Sequence, residues 1–374
     1  MRSFFDVAVI GGGPAGSATA LRLAKSGCSV ALVERTGFEG IRAGESLAPL
    51  VQPLLADLGI WTDFLRAQPL PSYGTSSFWG AATPEVHSHL TSPWGCGWHI
   101  DRAVFDHLLA DAAAKAGAAV LCDTTLIDCK ESNRGWSVSL RSGFPEQNAL
   151  VLDSHIVVDA TGRVRRVASR LGADCVRFDS LVGIAMLYNG VSTGQEGYVQ
   201  VEAAADGWWY TAPVRDGQMM VMLMTDSDLC GFSKLAAESA WMKHLRTAPA
   251  TLARLDGYNP SWGPRVFSAA SQRLKRRDRS RNWLSVGDSQ LAVDPISGSG
   301  VIRALRSAET GAQTTLALLE NRTSEAIEFY EAESDRLCVN YLRERAAYYS
   351  MEERWSDSTF WKRRRKPSDH IRRH

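Results

Sequence analysis

Gly11, Gly13 and Gly16 are spaced as Gly-x-Gly-x-x-Gly, directly after an apolar segment, Val7 to Ile10, and before a stretch of helical composition, Ala15 to Ala24. Few chain geometries accept that arrangement. The first glycine makes a tight turn, the second lets backbone approach a pyrophosphate, and the third lets the helix pack closely on the sheet. Pro14 and Ala15 open the helix, whose free N–H groups suit a phosphate. Ser29 to Val33 is a second buried strand and ends in Glu34. That acid lies about 20 residues past Gly11, where a carboxylate holds a ribose hydroxyl, and Arg35 beside it is counted with the cofactor residues. Strand, turn, helix, strand and acid in register predict a parallel α/β unit that binds a dinucleotide. The motif alone does not separate FAD from NAD.

At 374 residues and 45% hydrophobic composition, the chain can form two domains, or one with a large insertion. A formal net charge of +1 gives no argument for nucleic acid or a membrane as a partner. The chain enters a strand pattern at once, without signal-peptide architecture, and no apolar run reaches the roughly 18 residues of a membrane span. Seven dispersed cysteines without a Cys-x-x-Cys pair read as reduced thiols of a cytoplasmic protein. His87 and His89 have no evident third ligand, so no metal site is expected. Residues 101–117 carry an Asp cap and a closing Gly117, as a helix should. Strands are expected at 119–122, 135–140, 151–159 and 283–287, antiparallel strands within 176–225, and helices over 300–320 and 324–350. The basic stretch Arg273 to Arg281 reads as a solvated loop, or else a landing site for an NAD(P)H phosphate or an acidic peptide. The basic tail from Lys362 reads as a frayed, solvated end, or else its run Lys362 to Lys366 meets an anionic partner.

Two later segments bear on the cofactor. Val157-Val158-Asp159-Ala160-Thr161-Gly162 is a buried strand ending in a turn, and Leu284-Ser285-Val286-Gly287-Asp288 is another. The second is followed by Asp294-Pro295-Ile296-Ser297-Gly298-Ser299-Gly300 and a helix. Over most of residues 4–320 the chain resembles the glutathione-reductase-like FAD proteins of the aromatic hydroxylase and flavin-dependent halogenase kind. That resemblance implies FAD as cofactor. It assigns Asp288 to the ribityl–pyrophosphate region, Pro295, Gly298 and Gly300 to the isoalloxazine, and Ala160, Gly162 and Gly287 to the two turns. Arg102 matches an arginine that touches the cofactor; its alternative is a surface first-turn residue. The expected fold is α/β, a Rossmann FAD-binding domain with an inserted antiparallel-sheet substrate domain and a C-terminal helical segment. Residues 1–70, 98–170 and 271–325 are assigned to the first, 71–97 and 171–270 to the second, and 326–374 to the helical segment and basic tail. No further Gly-x-Gly-x-x-Gly occurs in strand–helix context. NAD(P)H is therefore expected to visit transiently, or a separate flavin reductase supplies the electrons, with O2 as co-substrate.

The turn Arg42-Ala43-Gly44-Glu45-Ser46-Leu47-Ala48-Pro49 is similar to the Gly-Glu-Ser/Ala turn of halogenases and their relatives, which places Arg42, Glu45 and Ser46 near the flavin. A tryptophan halogenase also carries a lysine downstream that relays the oxidised halogen, and this chain has no lysine between Lys25 and Lys115. Of the halogenase pattern Trp-x-Trp-x-Ile-Pro, Trp208-Trp209-Tyr210-Thr211-Ala212-Pro213 keeps the first Trp and the Pro, with Tyr210 and Ala212 at the other two places. Gly-Glu-Ser-Leu-x-Pro, Ser-Tyr-Gly-Thr-Ser-Ser-Phe-Trp-Gly, Gly-Trp-His-Ile-Asp-Arg and Gly-Trp-Trp-Tyr-x-Ala-Pro together resemble the flavoproteins that mature quinone cofactors. Those act in lysine-oxidase, glycine-oxidase and quinohemoprotein amine dehydrogenase systems; related enzymes modify tryptophan in peptide natural products. The resemblance implies monooxygenation of an aromatic ring, a tryptophan held in a peptide or protein. Trp79, Trp94, Trp98, Trp208, Trp209 and Tyr210 lie in segments expected to line the pocket, where indole packing adds about 0.5–1.5 kcal/mol per pair; for any one of them core filling is the alternative. Glu45 or His99 is the candidate proton acceptor, against a phosphate-loop or cap role for Glu45 and a structural one for His99. The rival activities are a flavin-dependent halogenase, an isoprenoid-saturating FAD reductase, and a flavin-bearing chaperone without turnover.

Overall fold

The structure, a computed structural model, describes residues 3–40, 42, 44–143, 149–190, 197–215, 217–229, 238–275, 282–321 and 323–365. Its first sheet grows from the glycine motif outward. Ser3–Ile10 pairs in parallel with Val30–Val33 on one side and with Ala149–Asp159 on the other. Val30–Val33 pairs further with Ala119–Leu121, and Trp283–Ser285 joins the end of Ala149–Asp159, both in parallel. Val30–Val33 is buried at every position, as a parallel strand covered on both faces must be. Gly135–Ser142 and Thr124–Ser132 extend the sheet as antiparallel strands. Thr124–Ser132 is a strand that the sequence reading did not anticipate. Only Thr124, Leu126 and Cys129 face inward along it, and the pairing shifts register between Ser139 and Leu140, so its alternation is broken.

The helix Pro14–Lys25 follows the glycine turn, and Arg102–Lys115 and Gly300–Leu319 pack against it. Asp101 caps the second by accepting from Ala103 N at 2.9 Å. Leu21, Leu23, Phe105, Leu109, Val286 and Leu305 fill this core.

A second seven-stranded sheet stands over the first module. Its order is Tyr258–Ser268, Leu181–Gly190, Gln218–Asp226, Gly207–Arg215, Tyr198–Ala204, Gly74–Phe78 and Glu85–Ser88. All neighbours are antiparallel except Tyr198–Ala204 with Gly74–Phe78. One face buries Trp208, Ala212, Met222 and Met224 toward the first module and the C-terminal segment; the other buries Trp209, Val221 and Leu223 against Trp241 and Leu245. The fold is thus α/β, a Rossmann module with a large inserted sheet.

The C-terminal end corrects one expectation. Thr323–Ser350 is a long helix, and Lys362 to Arg365 are not frayed: Thr359–Arg365 is helical, with Phe360 and Trp361 fully buried. Arg364 is buried and donates to Asp226 at 2.5 and 3.1 Å, while Arg363 pairs with Asp226 and Asp228. These arginines face carboxylates of the inserted sheet, which is why a run of charge packs rather than dangles. Lys366 lies outside the described residues. The basic stretch is likewise not all loop. Arg273 and Lys275 lie in the strand Gln272–Lys275, and Arg273 pairs with Asp335 at 2.7 Å. Arg276 to Arg281 lie outside the described residues.

Candidate functional site

Between the Rossmann module and the inserted sheet runs a cavity of about 730 Å³. The glycine turn forms one end, and its three glycines divide their work. A Cβ on Gly11 would stand 2.3 Å from Ala160 O, and one on Gly16 would stand 1.9 Å from Gly11 O. Those two positions are closed by the protein itself. A Cβ on Gly13 would meet nothing within 4 Å. Gly13 is also the N-cap of Pro14–Lys25 and has no side-chain cap, so the helix's first N–H groups face the opening. Gly287 is a packing residue too, since a Cβ there would lie 2.7 Å from that of Ala15.

Glu34 sits at the strand end and accepts from Gly12 N at 2.8 Å and Thr36 Oγ1 at 2.7 Å. Asp159 does not reach into the cavity as a ligand would. It accepts from Thr161 N, Thr161 Oγ1 and Ala168 N, and so ties its own turn together. Arg163 pairs with Asp288 at 3.1 Å.

Glu45 is positioned by a short three-stranded sheet. Ser46–Leu47 pairs with Gly97–His99, and Glu45 O accepts from Ile100 N at 2.7 Å. Gly44 has φ of +106°, and a Cβ there would strike the Arg102 guanidinium at 2.6 Å, so glycine lets Arg102 lie against this turn. Arg102 and Arg42 both donate to buried Asp106, at 3.1 and 2.8 Å. Glu45 is 1% exposed, and neither carboxyl oxygen has a protein hydrogen-bond partner. Burial raises its pKa to about 7, against the opposing pull of the Glu45 and Gly44 backbone N–H groups and Arg102. Tyr210 is raised as well, by burial first and then by Glu45.

The structure gathers Gly11, Gly13, Pro14, Ala15, Glu34, Arg35, Arg42, Glu45 and Ser46 around this cavity, with Arg102, Ala160, Gly162, Asp288, Pro295, Gly298 and Gly300. Gly16 and Gly287 stand behind the wall. Trp208 and Tyr210 line the cavity, but three other aromatic assignments are corrected. Trp209 points to the opposite face of its strand and packs on Trp241 at 5.0 Å, because successive strand residues alternate. Trp79 donates to Tyr348 O and packs against Trp361 at 5.1 Å. Trp98 packs with Trp61 and Phe64 under the Rossmann module. Trp94, grouped with them, is 42% exposed. His99 is also corrected: it does not line the main cavity but backs a smaller one of about 260 Å³. Burial first, then the nearby charges of Arg254 and His89, lowers its pKa to about 3, so it is a neutral interior imidazole. Met222, Met224, Arg265, Phe267 and Asp106 line the cavity and were missed. The i, i+2 methionines and the Arg102–Asp106 i, i+4 pair were legible as patterns, but not as cavity residues.

The residues present fit an FAD. An open glycine cradle and uncapped helix suit the pyrophosphate, Glu34 lines the cavity at the end of the second strand, and a buried carboxyl, Glu45, lines the same cavity together with Trp208 and Tyr210. Among the described residues no cluster of three or more His, Cys, Asp or Glu could hold a metal, and no helix is long and apolar enough to cross a membrane.

Residues 6–174 match the family of FAD dependent oxidoreductases. The chain is 29% identical, over 96% of both lengths, to a protein of Marinomonas mediterranea named as the FAD-dependent oxidoreductase LodB. It is 26% identical to the flavin-dependent halogenase armH4 of Armillaria mellea, over 90% of this chain and 70% of that one. The myxobacterial chondrochloren halogenase CndH superposes with a TM-score of 0.88 at 26% identity, over 97% of this chain and 86% of that one. QhpG, described as a peptidyl tryptophan dihydroxylase essential for tryptophylquinone cofactor biogenesis, superposes with a TM-score of 0.79 at 23% identity, over 97% and 79%, a likeness of fold. The matched segment contains the glycine turn, Glu34, the Glu45 turn and the Asp159 strand, and the alignment with LodB runs along nearly the whole of both chains.

Proposed function

We propose that this protein is a monooxygenase that hydroxylates an indole ring, a tryptophan side chain carried in a peptide or protein. The observation that carries the reading is Glu45, a buried carboxyl with both oxygens unpaired, opening into the same cavity as Trp208 and Tyr210. A group with a pKa near 7 is suited to exchange protons at neutral pH. Reduced FAD, when bound, supplies the electrons that activate O2, drawn from NAD(P)H or a separate flavin reductase. The chain's own part is placement. Trp208, Tyr210, Met222, Met224 and Phe267 form an aromatic and thioether wall against which an indole packs and from which water is excluded. Glu45 Oε takes the proton that leaves the ring carbon where the new C–O bond forms. The fold shared with a peptidyl tryptophan dihydroxylase supports a tethered substrate over free tryptophan.

A halogenase is the second reading, favoured by the 26% identity and 0.88 TM-score to CndH. Against it stand the departures at Tyr210 and Ala212 and the lysine-free stretch from 26 to 114. Incubation of the reduced enzyme with labelled dioxygen and excess bromide, offering both free tryptophan and a tryptophan-containing peptide, separates the two. Labelled oxygen in the peptide is expected. Bromination, or faster turnover of the free amino acid, would overturn the monooxygenase reading.

A further inference from the structure

A single phenol from the C-terminal helix touches both walls of the cavity. Tyr349, the penultimate residue of Thr323–Ser350, is fully buried. Trp208 Nε1 donates to its hydroxyl at 2.9 Å, and the hydroxyl lies 2.8 Å from Asp294 Oδ2. The polarity of this chain follows from its donors. An indole nitrogen only donates, so the Tyr349 oxygen accepts from it, and its one proton goes to the Asp294 carboxylate. The other Asp294 oxygen accepts from Ile296 N at 3.0 Å, and Gly298 N donates to Pro295 O at 2.9 Å, so the same carboxylate sets the turn that contains Pro295 and Gly298. Trp208 lines the cavity from the inserted sheet, while Pro295, Gly298 and Gly300 line it from the Rossmann module. The phenol ring is itself clamped beneath the Arg364 guanidinium, 5.4 Å from its centroid, and against Trp361 at 5.7 Å.

We propose that Tyr349 is a positioning residue that sets the aromatic wall and the flavin-side turn relative to each other, through Trp208 on one side and Asp294 on the other. With its N–H committed to Tyr349, the Trp208 indole offers the cavity only carbon. That makes it an apolar wall and not a hydrogen-bond donor to the guest. The residues joined are far apart in the chain, and neither wall is built by the helix that joins them. The inference needs FAD binding but not the monooxygenase reading, and its test does not use turnover.

The test uses the full chain loaded with FAD and labelled at the indole nitrogens. The Trp208 Nε1–H resonance, identified by its loss in Trp208→Phe, is expected to move upfield in Tyr349→Phe. The visible bands of the bound flavin are expected to shift in the same variant, and FAD affinity to fall about two- to tenfold, because both lost hydrogen bonds act on the cofactor through Trp208 and Asp294. Tyr348→Phe, the neighbouring phenol outside this network, is expected to leave the flavin bands and the Trp208 resonance unchanged. A Tyr349→Phe protein with wild-type flavin bands and affinity would overturn the proposal, even if it melted earlier, because that phenol would then be core filling alone. If Tyr349→Phe does not fold, Asp294→Asn gives the same readout. Shifted flavin bands with the Trp208 resonance retained are expected, and unchanged bands would overturn it.

Discussion

At the scale of single residues, the least ordinary group is the Glu45 carboxyl, which is buried without a protein partner in a cavity that already holds Arg42 and Arg102. The two arginines are occupied elsewhere, both donating to Asp106, and so relieve Glu45 less than their number suggests. Its pKa of about 7, against an ordinary 4.5, has a consequence for stability. Below pH 4.5 the carboxyl is protonated folded and unfolded, and its burial costs nothing extra. Between 4.5 and 7 the unfolded chain releases the proton while the folded one keeps it, so stability falls as pH rises, by about 3 kcal/mol across that window. Urea midpoints of the FAD-free protein should drop from pH 5 to pH 7.5, and Glu45→Gln should flatten that drop. Parallel pH slopes in the two proteins would remove the shifted carboxyl. Under the proposed function the same substitution should lower turnover about 100-fold or more, with FAD content retained.

At the scale of elements, the glycine turn makes a prediction that the motif alone could not. Its glycines look equivalent in sequence, yet only Gly13 opens on empty space. Gly13→Val should fold with a near-normal melting temperature and bind no flavin, since the side chain fills the place where backbone meets the pyrophosphate. Gly16→Ala should do the reverse first, destabilising the apoprotein, because the new methyl collides with Gly11 O. Thermal melts and flavin absorbance of the two variants, compared side by side, check this. Flavin bound by Gly13→Val would disprove the assignment. The strand Gly207–Arg215 carries the same lesson. Trp208, Trp209 and Tyr210 read as one aromatic cluster, and the pleat sends Trp208 and Tyr210 to the cavity and Trp209 to the opposite core.

At the scale of the whole molecule, the chain's last described helix is part of the cavity's support. Thr359–Arg365 docks on the inserted sheet through Phe360, Trp361 and the Arg364–Asp226 pair, in which both side chains are 2% exposed. Removing one partner of a buried pair leaves an uncompensated charge, at a cost of about 3–5 kcal/mol. Arg364→Ala should therefore unfold far earlier in denaturant than Lys362→Ala. Lys362 faces a fully exposed Asp357 at 3.2 Å, a pair that water screens and that adds little. Equal midpoints for the two variants would argue that the segment is loosely attached.

Features that depend on neighbours along the chain are readable from its residues. The strand–glycine–helix unit, the Asp101-capped helix, the turn after Asp159 and the glycine-rich entry to Gly300–Leu319 were legible because period, cap and turn chemistry act within a few residues. The same local signals brought the glycine turn and Glu34 to the page, while Arg102 and Asp288 came from the resemblance to FAD proteins and not from local chemistry. Which side chains meet is fixed by packing between distant segments. Nothing near Trp79 in sequence announces that it packs on Trp361, nor does His99 declare itself an interior imidazole behind the cavity. Tyr349 finds Trp208 and Asp294 across 141 and 55 residues. Such pairings follow from how two sheets and a returning C-terminal helix stack, a long-range packing outcome that no local propensity encodes.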